Sequence, residues 1–151
     1  MTTPEEYLAS VDRSGFSIAG YHKVTPKPWG EEFLLTADDA PYAMKLIHIL
    51  AGKRLSLQAH DHKTETWVVH SGDAMVIIED ADGNLQEVRL EPFRGYTSSF
   101  GQRHRLLGIS DTWILEASTP ELGTTYRLED DYARPDETEE LRAAPNRGWN
   151  G

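Results

Sequence analysis

The stretch of sequence that decides the fold is residues 55–72, which read LSLQAHDHKTETWVVHSG. Side chains alternate along a strand, so Gln58 and His60 face one side of a predicted strand while Leu57 faces the other. After a polar turn, Glu65 opens a second, apolar strand that ends before Gly72. The segment therefore predicts two short strands, with a polar row on the first and a carboxylate at the start of the second.

Short strands separated by turn residues are also predicted on both sides of this stretch. The sequence Asp80-Ala81-Asp82-Gly83-Asn84 is typical of a hairpin turn, and helical patterns are confined to the ends, near residues 7–11 and 135–142. Nine short strands with no convincing helix between them predict an all-β antiparallel sandwich or barrel. The predicted strands are 33–35, 42–50, 55–60, 66–70, 74–79, 85–90, 96–100, 104–109 and 112–116.

The length of 151 residues fits a single domain with its own core. We predict an N-terminal extension over residues 1–25, the barrel domain over residues 26–135, and an acidic, flexible tail over residues 136–151. The tail is interpreted as a solvated, charged face.

Charge and hydropathy exclude some classes of function. The chain carries 15 basic and 25 acidic residues, a net charge of -10, and this balance argues against a nucleic-acid binder, whose affinity comes mainly from basic groups. No apolar run approaches the roughly 18 to 20 residues of a membrane-spanning helix, so no membrane partner is expected. The first residues have neither a basic start nor an apolar run, so a cytoplasmic protein is expected.

The chain contains no cysteine, so a metal ion would need His, carboxylate or amide ligands. His60, His62 and His104 occur where strand geometry can bring them together. Glu65 would then place a carboxylate beside the polar row of the preceding strand. The sequence predicts a site with three or four ligands on a rigid sheet.

Two motifs resemble those of the cupin superfamily. The first is Gly52-x5-Gln58-x-His60-x4-Glu65-x6-Gly72, with glutamine where many cupins have their first histidine, and the second runs from Ser99 to His104. The resemblance implies a single cupin barrel, a double-stranded β-helix or jelly roll, with short terminal helical segments. It also implies that Gln58, His60, Glu65 and His104 point inward at one divalent metal ion, such as zinc, manganese or iron.

Four ordered blocks narrow the resemblance. They look like the cupin domain of type II phosphomannose isomerases, which commonly forms the C-terminal part of mannose-1-phosphate guanylyltransferases. The sequence departs from the family at Lys63, where arginine is usual. The blocks are 27–30 (KPWG), 55–72, 104–106 (HRL) and 128–132 (LEDDY).

This resemblance implies a metal-dependent aldose-ketose isomerase that interconverts mannose 6-phosphate and fructose 6-phosphate. His62 and Lys45 are the candidate catalytic bases. Arg105 and Arg103 are the candidate ligands of the substrate phosphate, because the planar guanidinium group suits phosphate.

Two other classes of function stay open. Two histidines and one carboxylate are also the ligand set of iron(II) oxygenases, and cupins include such dioxygenases. Alternatively, the chain is a cupin that acts on another sugar or nucleotide sugar, or a non-catalytic sugar-binding module. In each case a homodimer is expected, because a small sheet protein must cover its exposed edge strands.

Overall fold

The computed structural model describes every residue from Met1 to Gly151, and most of its regular structure is β-strand. Two short α-helices and one 3-10 turn lie near the chain ends. The strands are β1 (Lys23–Lys27), β2 (Gly30–Leu34), β3 (Ala43–Ile49), β4 (Leu57–His60), β5 (Glu65–Ser71), β6 (Ala74–Glu79), β7 (Leu85–Arg89), β8 (Tyr96–Ser98), β9 (His104–Gly108), β10 (Thr112–Ser118) and β11 (Thr125–Glu129). The helices are α1 (Pro4–Ser10) and α2 (Glu139–Ala143), and the 3-10 turn is Pro145–Gly148.

The strands form two antiparallel sheets. The six-stranded sheet has the order β1-β2-β3-β10-β5-β8, and the five-stranded sheet has the order β11-β4-β9-β6-β7. The prediction of an all-β fold is therefore confirmed. No helix of the chain has the length and apolar character needed to span a membrane.

The inward face of the six-stranded sheet changes character along its strands. On β3 the buried side chains run from Ile49 and Ile47 to Lys45. On β10 they run from Ile114 to Glu116, and the pairing of β3 with β10 places Lys45 opposite Glu116. The interior therefore has an apolar half and a charged half. The apolar half is Trp29, Ile47, Ile49, Trp67, Val69, Ala74, Val76, Leu90, Leu106 and Ile114.

Two strands were not predicted from the sequence, and each lies at a sheet edge. β1 contains Pro26, which the sequence pattern marks as a break, but proline is tolerated on an edge strand because one side of the strand donates no ladder hydrogen bond. β11 is mostly exposed and pairs only with β4 in its sheet. Edge strands carry weak periodic signals, since little of either face is buried.

The C-terminal segment differs from the predicted flexible tail. The backbone of Glu137 exchanges hydrogen bonds with Thr125 of β11, and the side chain of Arg147 is 9% exposed. Charge composition alone predicted a solvated face here. The structure instead places Glu137, Arg142 and Arg147 of this segment in ion pairs with one another or with the charged half of the barrel.

Candidate metal centre

Three side chains from three strands meet in the charged half of the barrel. His60 ends β4, Glu65 begins β5 and His104 begins β9, and all three are buried. Oε1 of Glu65 lies 3.2 Å from Nε2 of His60 and 2.8 Å from Nε2 of His104. The three potential ligand atoms lie within 4.8 Å of one another, so this group could hold a metal ion.

The hydrogen bonds around the two imidazoles test whether a cation fits. Nδ1 of His104 lies 2.9 Å from the carbonyl oxygen of Gln102, so it donates its hydrogen there. In the neutral ring, the lone pair of Nε2 then faces the Glu65 oxygen, and two lone pairs repel unless a cation lies between them. Nδ1 of His60 is likewise engaged, 3.0 Å from Oγ1 of Thr125. Such outer contacts orient metal-binding histidines, so the donor set fits a divalent ion.

Gln58 stands beside the two histidines. Its Nε2 lies 3.5 Å from Nε2 of both His60 and His104, and its Oε1 accepts a 2.8 Å hydrogen bond from Oγ of Ser56. Rotation of the amide by 180° turns Oε1 toward the histidines and lets Nε2 donate to the Ser56 hydroxyl. Gln58 can therefore supply a fourth, neutral oxygen ligand without losing its contact with Ser56.

The carboxylate of Glu65 is held in its ionised form. Burial by itself would raise the pKa of Glu65, but Lys63, whose Nζ lies 2.7 Å from Oε2, and the two histidines hold that pKa well below its usual range. Burial lowers the pKa of His60. A carboxylate and a neutral imidazole are the forms that bind a metal ion.

A network of ion pairs extends from this cluster across the charged half of the barrel. Lys63 joins Glu65 to Glu116, 3.0 Å away, and to Glu121, 3.4 Å away. Lys45 pairs with both Glu121 and Glu32. Eleven charged side chains line the small cavity at the cluster, namely Glu32, Glu65, Glu116, Glu121 and Glu137 with Lys27, Lys45, Lys63, Arg127, Arg134 and Arg147.

This cavity, the inner cavity, has a volume of about 60 Å³. Six cations and five carboxylates line it, so the fully ionised lining carries one net positive charge before any metal ion is added. A second, outer cavity of about 350 Å³ opens beside it and shares with it the side chains of Glu32, Glu121 and Arg147. The net positive charge of the inner lining favours an anionic ligand. Beyond the three shared residues, the outer cavity adds two cations, Lys23 and Arg142, and two carboxylates, Asp38 and Glu139.

Of the four candidate catalytic and phosphate-binding residues, only one lies at the inner cavity. Lys45 lines the inner cavity. The side chain of His62 is 68% exposed and lies 3.0 Å from Asp61, outside the cavity lining. Arg103 pairs with Glu79 at 2.9 Å, and Arg105 donates to the carbonyl oxygen of Leu55 at 2.8 Å. The structure does not bring either arginine to the cavity.

Sequence reasoning missed several residues of the site. The sequence marks Lys63 only as a departure from the family pattern, and it places Glu116 in a predicted strand without indicating a role. The signal for Glu116 was available, because a charged residue in phase with Ile114 on an apolar strand points into the core. Glu121 and Arg147 lie outside the strands, and no periodic pattern marks them.

Comparison with known proteins identifies the family. Residues 15–107 match the family described as "Mannose-6-phosphate isomerase C-terminal". The chain belongs to this family. The matched residues include Gln58, His60, Glu65 and His104, whereas Glu116, Glu121 and Arg147 lie beyond the match.

Curated proteins similar to this chain are named either as mannose-1-phosphate guanylyltransferases or as polysaccharide biosynthesis proteins. The chain is 40% identical over 65 residues to the mannose-1-phosphate guanylyltransferase of Escherichia coli K12, which covers 43% of this chain and 13% of that protein. It is 36% identical over 80 residues to the alginate biosynthesis protein AlgA of Pseudomonas aeruginosa, covering 53% of this chain and 16% of that one. The chain thus spans a small part of the length of these relatives.

Several solved structures have the same fold as this chain. Oxalate decarboxylase of Lactobacillus farciminis superposes with a TM-score of 0.63 at 18% identity, over 78% of this chain and 38% of that one. The capsular polysaccharide assembling protein CapF of Staphylococcus aureus gives a TM-score of 0.58 at 17% identity, over 83% and 38%. The predicted cupin barrel is confirmed.

Proposed function

We propose that this protein is a metal-dependent sugar-phosphate isomerase that interconverts mannose 6-phosphate and fructose 6-phosphate. The observation that carries the proposal is the buried cluster of His60, Glu65 and His104, of which His60 and Glu65 line the inner cavity. Membership of the mannose-6-phosphate isomerase C-terminal family supports the same substrate class. Gln58 would complete the ligand set.

A divalent ion held by these residues would act as a Lewis acid and stabilise negative charge that develops on the sugar oxygens during isomerisation. Charged side chains of the protein would add to this stabilisation. Burial would lower the pKa of Lys45 and of Lys63, but the surrounding carboxylates raise both, so these side chains remain cationic. Two ammonium groups in the charged half of the barrel favour an anionic substrate and an anionic intermediate.

Aldose-ketose isomerisation also needs a group that moves a proton between C1 and C2. The raised pKa of Lys45 makes it a poor base, and His62 lies outside the cavity. Burial and the neighbouring Glu65 carboxylate raise the pKa of Glu116 to about 7. A carboxyl group with a pKa near neutral can both accept and return a proton, so we assign the proton transfer to Glu116.

The test is an isomerase assay with mannose 6-phosphate on protein loaded in turn with zinc, manganese or iron. We expect activity that EDTA abolishes and added metal restores. His60→Ala should lose the isomerase activity. His70→Ala, which alters a histidine outside the inner cavity, is the control and should keep the activity. Full activity in metal-free His60→Ala protein would refute the proposal.

A second candidate function follows from the same ligands. Two histidines and one carboxylate also suit an iron(II) oxygenase. Oxygen consumption by the iron-loaded protein, absent with zinc, would favour this chemistry over isomerisation. Sugar binding without exchange of the C2 proton in deuterated water would instead indicate a non-catalytic module.

A further inference from the structure

Arg147 forms part of the wall between the inner and outer cavities. Its guanidinium group lies 3.2 Å from Glu32, 2.6 Å from Glu121 and 3.1 Å from Glu137. Arg147 lines both cavities, and so do Glu32 and Glu121. Of these three residues, only Arg147 is a cation.

The inner cavity is too small for the proposed substrate. Its volume of about 60 Å³ is on the order of two water molecules, whereas pockets for small organic ligands usually measure about 300–1,000 Å³. The outer cavity, at about 350 Å³, is within that range. A sugar phosphate whose reacting carbons approach His60, Glu65 and His104 must therefore extend into the outer cavity.

Arg147 can leave its position without stranding a buried charge. Glu32 would keep Lys27, 3.4 Å away, and Lys45. Glu121 would keep Lys45 and Lys63. Because each carboxylate has other cationic partners, the usual large penalty for an unpaired buried charge does not arise.

Glu137 also has other partners, since Arg127 lies 3.2 Å and Arg142 3.4 Å from it. Departure of Arg147 therefore leaves all three of its carboxylates paired.

The backbone that carries Arg147 is strained. Asn146 and Arg147 have φ values of 49° and 52° within the turn Pro145–Gly148. The left-handed region costs a residue other than glycine roughly 1 kcal/mol. This strain favours release of the turn and opposes the ion pairs that hold Arg147 in its closed position.

We propose that Arg147 is the phosphate-binding residue of the substrate site and that the turn Pro145–Gly148 is its lid. When the lid opens, the two cavities join. The sugar lies at the metal centre, the phosphate lies in the outer cavity, and the guanidinium group of Arg147 exchanges carboxylates for the phosphate as a planar, two-pronged donor. This inference rests on the proposed function for the identity of the sugar.

Titration calorimetry on zinc-loaded, full-length protein tests the assignment with mannose 6-phosphate and unphosphorylated mannose. We expect Arg147→Gln to weaken binding of mannose 6-phosphate about 10-fold or more while mannose binding changes little. Arg147→Lys should be intermediate, because it keeps the charge and loses the fork. Arg89→Gln removes an exposed arginine that pairs with Asp73 and lines neither the inner nor the outer cavity, and it is the matched control.

A second readout does not depend on catalysis. Excess EDTA should strip zinc faster from Arg147→Gln than from the parent and Arg89→Gln proteins, because the Arg147 side chain no longer closes its part of the wall between the cavities. Equal affinity of the parent and Arg147→Gln proteins for mannose 6-phosphate, or no binding by the parent, overturns the inference. Loss of phosphosugar affinity in Arg147→Gln without any isomerase activity supports it and refutes only the proposed reaction.

Discussion

At the scale of single residues, the metal centre depends on side chains that are already oriented. His60 and His104 each have Nδ1 fixed by a protein partner and Nε2 turned toward Glu65. We expect purified protein to bind one divalent ion per chain, measured by elemental analysis after dialysis. His104→Ala should lower metal affinity at least 10-fold, since a ligand is lost. His70→Ala, which alters an exposed histidine, should retain the parent stoichiometry, and retention by His104→Ala as well would contradict the site.

Glu116 makes the stability of the metal-free protein depend on pH. Its pKa of about 7 in the folded protein lies above the ordinary value of 4.5, so its stabilising contribution is complete below about pH 4.5 and is lost as the pH rises through 7. Glu116→Gln mimics the un-ionised carboxyl at every pH. As the pH rises from 5 to 8, the unfolding free energy of the parent should therefore fall by about 2 kcal/mol relative to that of the variant.

Urea denaturation at several pH values measures this difference. A stability difference between Glu116→Gln and the parent that does not change with pH would contradict the raised pKa.

Residue roles were predictable where strand alternation could be applied. Gln58, His60, Glu65 and His104 lie close together, and their role as ligands of one metal ion stays a prediction. The same alternation argues against Arg105, because it follows His104 on β9 and neighbouring strand residues face opposite sides. Arg103 precedes the strand and pairs with Glu79. Arg147 was beyond prediction, since its position depends on contacts between residues more than 20 positions apart.

At the scale of elements, the turns that link the sheets limit which substitutions are tolerated. Gly72, between β5 and β6, has a φ of +85°, and a Cβ there would overlap the carbonyl oxygen of Asp111. Gly52 has a similar φ of +73° with nothing within 4 Å of its Cβ position. We expect Gly72→Ala to lower the unfolding free energy by more than about 2 kcal/mol and Gly52→Ala by about 1 kcal/mol.

Chemical denaturation of the two glycine variants makes a matched comparison, because the strain from positive φ is shared and only the steric overlap differs. Equal losses of stability would show that the close approach of Asp111 contributes nothing.

The strands themselves were largely predictable from alternation, and the exceptions, β1 and β11, are edge strands with little buried surface.

At the scale of the whole molecule, the expected homodimer stays a prediction. The outward face of the six-stranded sheet carries Phe33, Leu46, Trp113 and Leu115, all only partly buried within one chain. A second copy packed on this face would shield them from water. Light scattering after size exclusion should therefore give about twice the chain mass of 17.0 kDa. Leu115→Lys, which puts a charge on this face, should give a folded monomer, and a monomeric parent would refute the expectation.

The division of the interior into an apolar half and a charged half separates the residues that stabilise the fold from those that select a ligand. The apolar half holds the sheets together and tolerates few changes of volume. In the charged half, Glu32, Glu121 and Glu137 each touch more than one cation, so replacing one partner leaves another in place. Single charges that line the two cavities can therefore be exchanged to select new ligands, while the apolar half keeps the fold stable.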